Sequence, residues 1–160
     1  MNNNSHKQEL KEVIVELYDI FAIYPLRLNI EACPCCVTEE EQKSIYANSL
    51  NYLTSSQLSP FALNSIWTYG TVDDFKHFLP RILELVAFEY RDFYGSKSAI
   101  RKLEYINSDC PSIEEEIVIK EYSTALWRYI LAEYPISSGT IDVESFLSDF
   151  CGVFNDLTIF

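Results

Sequence analysis

Apolar residues recur at three- and four-residue steps through most of the chain, a spacing that gathers them on one face of a helix. The clearest case runs from Asp73 to Tyr90, where Phe75, Phe78, Leu79, Ile82, Val86 and Tyr90 fall on one side and must be buried. The same rule predicts a first helix over Ser5 to Tyr24, with Leu10, Val13, Ile14, Leu17, Phe21 and Tyr24 inward, and Pro25 stops it. Thr38 to Glu41 reads as a capping box that opens a second helix reaching about Asn48. A third starts at Ser55 or Ser56, carries Pro60 near its first turn, and continues through Leu58, Phe61, Ala62, Ile66 and Trp67 to a left-handed end at Gly70. Asp73 is the expected cap of the central helix. Pro80, which lacks an amide and collides with the preceding turn, predicts a kink or break near Phe78 and Leu79. Further helices are expected over Ser96 to Ile106, from Ser112 to Pro135, and from Thr140 or Asp142 onward with Val143, Phe146, Leu147, Phe150 and Phe154 inward. The sum is a single all-α domain over residues 1–160, of about seven helices. Only 4 glycines are present, too few for the tight hairpins of a sandwich or barrel.

Charge narrows the partners. Lys and Arg number 12 against 24 Asp and Glu, giving a net charge of −12. Phosphate grooves need clustered cations, so nucleic acid and anionic membrane surfaces are excluded as partners, whereas a basic protein would be attracted. Two acidic helix starts, Glu39, Glu40 and Glu41, and Glu114, Glu115 and Glu116, are the expected contacts for that partner. Each triplet has a second reading as a favourable charge at the positive end of a helix dipole. The opening MNNNSHKQEL lacks a basic stretch followed by an apolar core, no apolar run reaches a membrane span, and the 5 cysteines are odd in number. A reducing cytoplasm is the expected setting.

Candidate chemistry lies in two places. Cys33-Pro34-Cys35-Cys36 puts three thiols within four residues. Cys33, Cys35 and Cys36 could share a zinc ion with His77, Cys110 or Cys151 supplying further ligands, or Cys33 and Cys36 could form a redox pair, or all could be buried structural thiols. Along the central helix, Asp73, His77, Arg81 and Glu84, with Asp74 beside them, form a titratable stripe. It reads either as an acid/base or ligand site or as a solvated face of spaced charges. Gly-rich phosphate loops, nucleophile elbows and His-Glu-x-x-His pairs are absent, so no catalytic residue is assigned.

One ordered combination is informative beyond its parts: Phe21-Ala22-Ile23-Tyr24-Pro25, the Cys33-Pro34-Cys35-Cys36 loop, Leu58 with Trp67-Thr68-Tyr69-Gly70, and Asp74-Phe75-Lys76-His77-Phe78-Leu79-Pro80-Arg81. It resembles a group of small bacterial proteins over roughly the half of the chain from Leu17 to Val86. Tyr69 stands where those relatives often have Trp. The group has no activity attached, so the resemblance transfers no catalytic role. Two functions are therefore carried forward: an acidic, non-enzymatic interaction protein for a basic partner, of which a bacterial immunity or inhibitor protein is the concrete example, and a thiolate zinc protein.

Overall fold

The stretch richest in periodic apolar residues becomes the centre of the fold. In the computed structural model, which describes residues 3–108, 111–134, 139–150 and 152–153, seven α-helices are present among the described residues and no strand. They are α1 (Asn3–Phe21), α2 (Glu39–Ser44), α3 (Ser55–Asn64), α4 (Val72–Glu89), α5 (Ser96–Ser108), α6 (Ile113–Ala132) and α7 (Val143–Phe150), with a 3₁₀ turn at Leu50–Tyr52. α4 packs against α1, α3, α5 and the 3₁₀ turn, while α6 lies along α1 and closes on α7. Four neighbours leave α4 little free surface: Leu83, Leu85 and Ala87 are buried along with the predicted Phe75, Phe78, Leu79, Ile82 and Val86.

Of the kink or break expected near Phe78 and Leu79, the break does not occur, and that burial explains why. α4 runs unbroken from Val72 to Glu89 with Pro80 buried inside it. An interior proline costs about 3 kcal/mol, and each large apolar side chain buried around it returns about 1.5–3 kcal/mol. Tertiary packing outweighs local propensity here.

Helix starts differ from expectation by one or two residues, and the C-terminal ends of α1, α2 and α3 fall three or four residues earlier than expected. Thr54, not Ser55, caps α3, and Thr71, not Asp73, caps α4, both through complete capping boxes with Gln57 and Asp74. The Thr38–Glu41 box, the Ser112 cap and the Asp142 cap stand as read. α2 stops at Ser44 and α3 at Asn64, so Ile66 and Trp67 lie in a turn rather than a helix. The inward placement expected for Phe154 and the Pro135 stop fall outside the described residues.

Residues 22–38 form a long irregular crossing. It is tied to the turn after α3 by an antiparallel bridge between Ala32 and Tyr69, with Cys33 N donating to Thr68 O at 2.7 Å and Gly70 N to Glu31 O at 2.8 Å. Gly70 has φ of 71°, and a Cβ there would sit 2.8 Å from Asp74 Oδ2, so only glycine fits.

Candidate functional site

The polar residues of α4 do not form an open stripe. Asp74 is 2% exposed and closes the Thr71 capping box, accepting from Thr71 N at 2.7 Å. Arg27, from the irregular crossing, grips it with two bonds, Nε to Oδ1 at 2.7 Å and Nη2 to Oδ2. Burial works to raise the Asp74 carboxyl, but the Arg27 and Thr71 donors outweigh it and hold the group below the usual carboxylate value. Two residues on, Lys76 Nζ lies 2.9 Å from Glu115 Oε2 and 3.0 Å from the Tyr24 hydroxyl, which itself donates to Glu115 Oε1. Burial alone would push Lys76 down; its bonds to Tyr24 and Glu115 reverse the sign and raise it.

His77 places Nδ1 2.7 Å from Tyr24 O, with its ring edge-on to Phe78. Arg81 donates from Nε to Leu53 O at 2.8 Å and from Nη1 to Glu84 Oε2 at 2.7 Å, and Tyr18 donates to that same carboxylate oxygen at 2.8 Å. Asp73 alone of the predicted set is exposed. Apart from the exposed Asp73, the stripe is therefore not a simple solvated face. It fastens the segment between Tyr24 and Leu53 to the central helix.

The acidic triplets divide. Glu39 and Glu40 are open to solvent, Glu39 with its side chain 89% exposed, while Glu41 turns back to accept from Thr38 N at 2.7 Å. Glu114 and Glu116 are also exposed. Glu115 is 1% exposed and bound to Lys76 and Tyr24, which corrects its assignment as a partner contact. Helical geometry is the reason: the residue between two outward acids on α6 points into the interface with α1 and α4.

A larger acidic surface was missed. Along the seam of α1 and α6 runs a groove of about 440 Å³ lined by Glu9, Glu12, Glu16 and Glu121 with Lys120 and Arg128. Arg128 Nη1 is engaged by Glu9 Oε1 at 2.6 Å. Exposed Ile113 and Ile117 stand on the same helix as Glu121. The signal is present in the sequence, since Glu9, Glu12 and Glu16 keep the helical step, but the apolar face of the same helix dominates its pattern.

The cysteine loop is a tight turn, with Cys36 N and Val37 N donating to Cys33 O at 2.9 and 3.0 Å. Cys33 is half-buried; Cys35 and Cys36 are exposed, so the reading of all three as buried structural thiols does not hold. The Cys35 amide, followed by the Cys36 side chain, pulls the Cys33 thiol below its ordinary value; the Cys36 thiol, hydrogen-bonded to Cys33, is raised. Among the described residues no group of three or more His, Cys, Asp and Glu is placed to hold a metal ion. Cys110 and Cys151 lie outside the described residues, and no helix among the described residues is long and apolar enough to cross a membrane. No family model matches the chain, and no curated protein or solved structure shows significant similarity to it.

Proposed function

We propose that this chain is a non-enzymatic interaction protein that binds a basic protein partner, in the manner of a cytoplasmic immunity or inhibitor protein against a toxin. The observation that carries the reading is the α1–α6 groove, where Glu9, Glu12, Glu16 and Glu121 outnumber the two cations, with exposed Ile117 one helical turn before Glu121 on α6. Carboxylates along a groove with an exposed apolar side chain on the same helix suit a partner surface that pairs Lys or Arg with an apolar anchor. Asp74, His77, Arg81 and Glu84 of α4 are engaged by internal partners, which supports a structural role for them.

The test is affinity capture at low and high salt with the partner identified by mass spectrometry, repeated with Glu12→Lys, Glu16→Lys and Glu121→Lys combined. A basic protein that is retained at low salt, released at high salt and weakened about tenfold or more by the triple variant supports the reading. Capture indifferent to both salt and the triple variant, or no basic protein recovered, overturns it. The second reading is a zinc protein organised by Cys33, Cys35 and Cys36. In its favour is the lowered Cys33 thiol beside two exposed thiols, because the thiolate is the form that ligates metal.

A further inference from the structure

The turn after α3 holds a backbone outlier beside an exposed aromatic. Ile66 has φ of 74°, a left-handed conformation that a β-branched side chain rarely adopts and that costs about 1–3 kcal/mol. The strain is held in place by Ile66 N donating to Tyr69 O at 3.1 Å and Thr68 N to Asn64 O at 3.1 Å. Its consequence is to turn Trp67 outward, 60% exposed. The indole is nevertheless fixed: the Lys102 ammonium lies 4.9 Å from its ring centroid, and Tyr105 meets it edge-on at 6.0 Å. An exposed aromatic held rigid on one side is preorganised to stack on a flat ligand with the other.

Trp67 borders a cavity of about 580 Å³ at the junction of α3, α5 and the 90–95 turn. Tyr94, 76% exposed, with Leu63, Tyr90 and Phe93 supplies the rest of its large apolar lining. Three cations, Arg91, Lys97 and Arg101, line it as well, and no carboxylate does. In a chain where acids outnumber bases two to one, a lining with three bases and no acid is a local reversal of charge. Two of the cations are partly neutralised: Lys97 Nζ is 3.3 Å from the buried Asp149, and Arg91 is near enough to Asp142 to help lower its pKa. Arg101 has no ion pair among the described residues, leaving its guanidinium open for a two-toothed contact with an oxyanion.

We infer that this cavity is a binding site for a small organic anion with a flat apolar body, such as an aromatic carboxylate or phosphate ester. Its body stacks on Trp67 and Tyr94 and its oxyanion pairs with Arg101, assisted by Arg91 and Lys97. The volume suits such a ligand, since small-molecule sites run from about 300 to 1,000 Å³. The −12 charge of the whole chain opposes the approach of any anion, so the attraction is short-ranged, exerted by the lining cations inside the screening length of about 8 Å. This site is separate from the α1–α6 groove and does not depend on the function proposed for it.

The experiment is titration of the full chain, followed by calorimetry and by amide chemical shifts, with 2-naphthoate and 2-naphthyl phosphate against neutral 2-naphthylmethanol. Both anions are expected to saturate, with shifts centred on Trp67, Tyr94 and residues 95–98, and at least about tenfold tighter than the alcohol. Arg101→Gln, at an exposed position where the fold is indifferent, is expected to weaken the anions about threefold to tenfold and leave the alcohol unchanged; Tyr94→Ser is expected to weaken all three. Equal affinity for anion and alcohol, anion affinity unchanged by Arg101→Gln, or no saturation by either anion below about 10 mM overturns the inference.

Discussion

Lys102→Met is the substitution that separates charge from packing most cleanly. Lys102 sits on α5 with no exposed surface, and its Nζ donates to Ala62 O and Leu63 O, both at 2.8 Å, and to Ser65 Oγ at 3.1 Å. Those carbonyls end α3, so the ammonium takes the role that a C-terminal glycine or solvent would fill and faces the negative end of a helix dipole. Among the described residues no carboxylate shares the contact. Burial pushes the ammonium from its ordinary 10.5 down to about 7. The folded state therefore releases this proton near neutrality, whereas the unfolded chain keeps it up to about pH 10. Between those limits the unfolded state binds more protons, and stability rises with pH. Integrated from about pH 7 to about pH 9, one such group adds about 2 kcal/mol.

Methionine has the length to fill the space and has no proton to exchange. It leaves Ala62 O without this donor, while Leu63 O keeps Ser98 Oγ at 3.2 Å, a loss of about 1–3 kcal/mol that does not vary with pH. Urea unfolding of both proteins across that interval gives the difference directly. It must stop short of about pH 10, where tyrosines raised by burial, such as Tyr69 and Tyr122, begin to lower stability through the opposite sign. The expected result is a wild-type advantage that grows by about 2 kcal/mol from pH 7 to 9. A difference that stays constant refutes the reasoning, because it would mean that the α3 carbonyls fully offset the cost of burying the charge.

Three further outcomes are expected. Glu115→Gln, which leaves Lys76 buried without a counter-charge, costs about 3–5 kcal/mol in urea unfolding, and combining Lys76→Met with Glu115→Leu recovers part of it; a loss under about 1 kcal/mol would show the pair to be dispensable. Asp74→Asn weakens the Arg27 clasp by about 2 kcal/mol near neutral pH. Because the folded Asp74 carboxyl is held below its ordinary 3.8, that contribution is present above this value and is lost as pH falls through the lowered one, so acid unfolding of the variant has a shallower pH dependence below about pH 4. Protein purified without chelator is assayed for zinc and iron, and less than about a tenth of an equivalent removes the zinc reading of Cys33, Cys35 and Cys36.

Helices and core were legible because period and capping act locally. Leu10, Ile14, Leu17 and Phe21 are inside as their spacing requires. What local rules could not reach was the pairing of distant charges. Glu115 meets Tyr24 across 91 positions and Arg27 meets Asp74 across 47, so nothing near either carboxylate in the sequence marks it as buried. Trp67 failed for the converse reason. Its spacing matches the preceding helix, but α3 has already ended at Asn64 and the left-handed Ile66 turns the indole outward. The aromatic cavity was invisible because its cations come from two stretches, Arg91 and the start of α5, whose charges look ordinary until the fold sets them around Trp67 and Tyr94.

The polar contacts made by α4 through Asp74, Lys76, His77 and Arg81 share one location, and that constrains how stability and binding relate. Asp74, Lys76, His77 and Arg81 each reach from α4 to the chain between Tyr24 and Leu53, or to a residue that grips it. That stretch contains only one short helix and a 3₁₀ turn, too little regular structure to satisfy its own backbone, so side chains of the central helix supply the missing partners. The acids of the α1–α6 groove lie on helices whose backbones are already satisfied, and apart from Glu9 with Arg128 they take no part in this fastening. Reversing Glu12, Glu16 and Glu121 should then leave urea stability within about 1 kcal/mol of wild type, or raise it by relieving the repulsion among 24 acids. A triple variant that loses both its partner and its fold would mean that these carboxylates hold the seam together, and the division between an inner set of charges for folding and an outer set for recognition would fall.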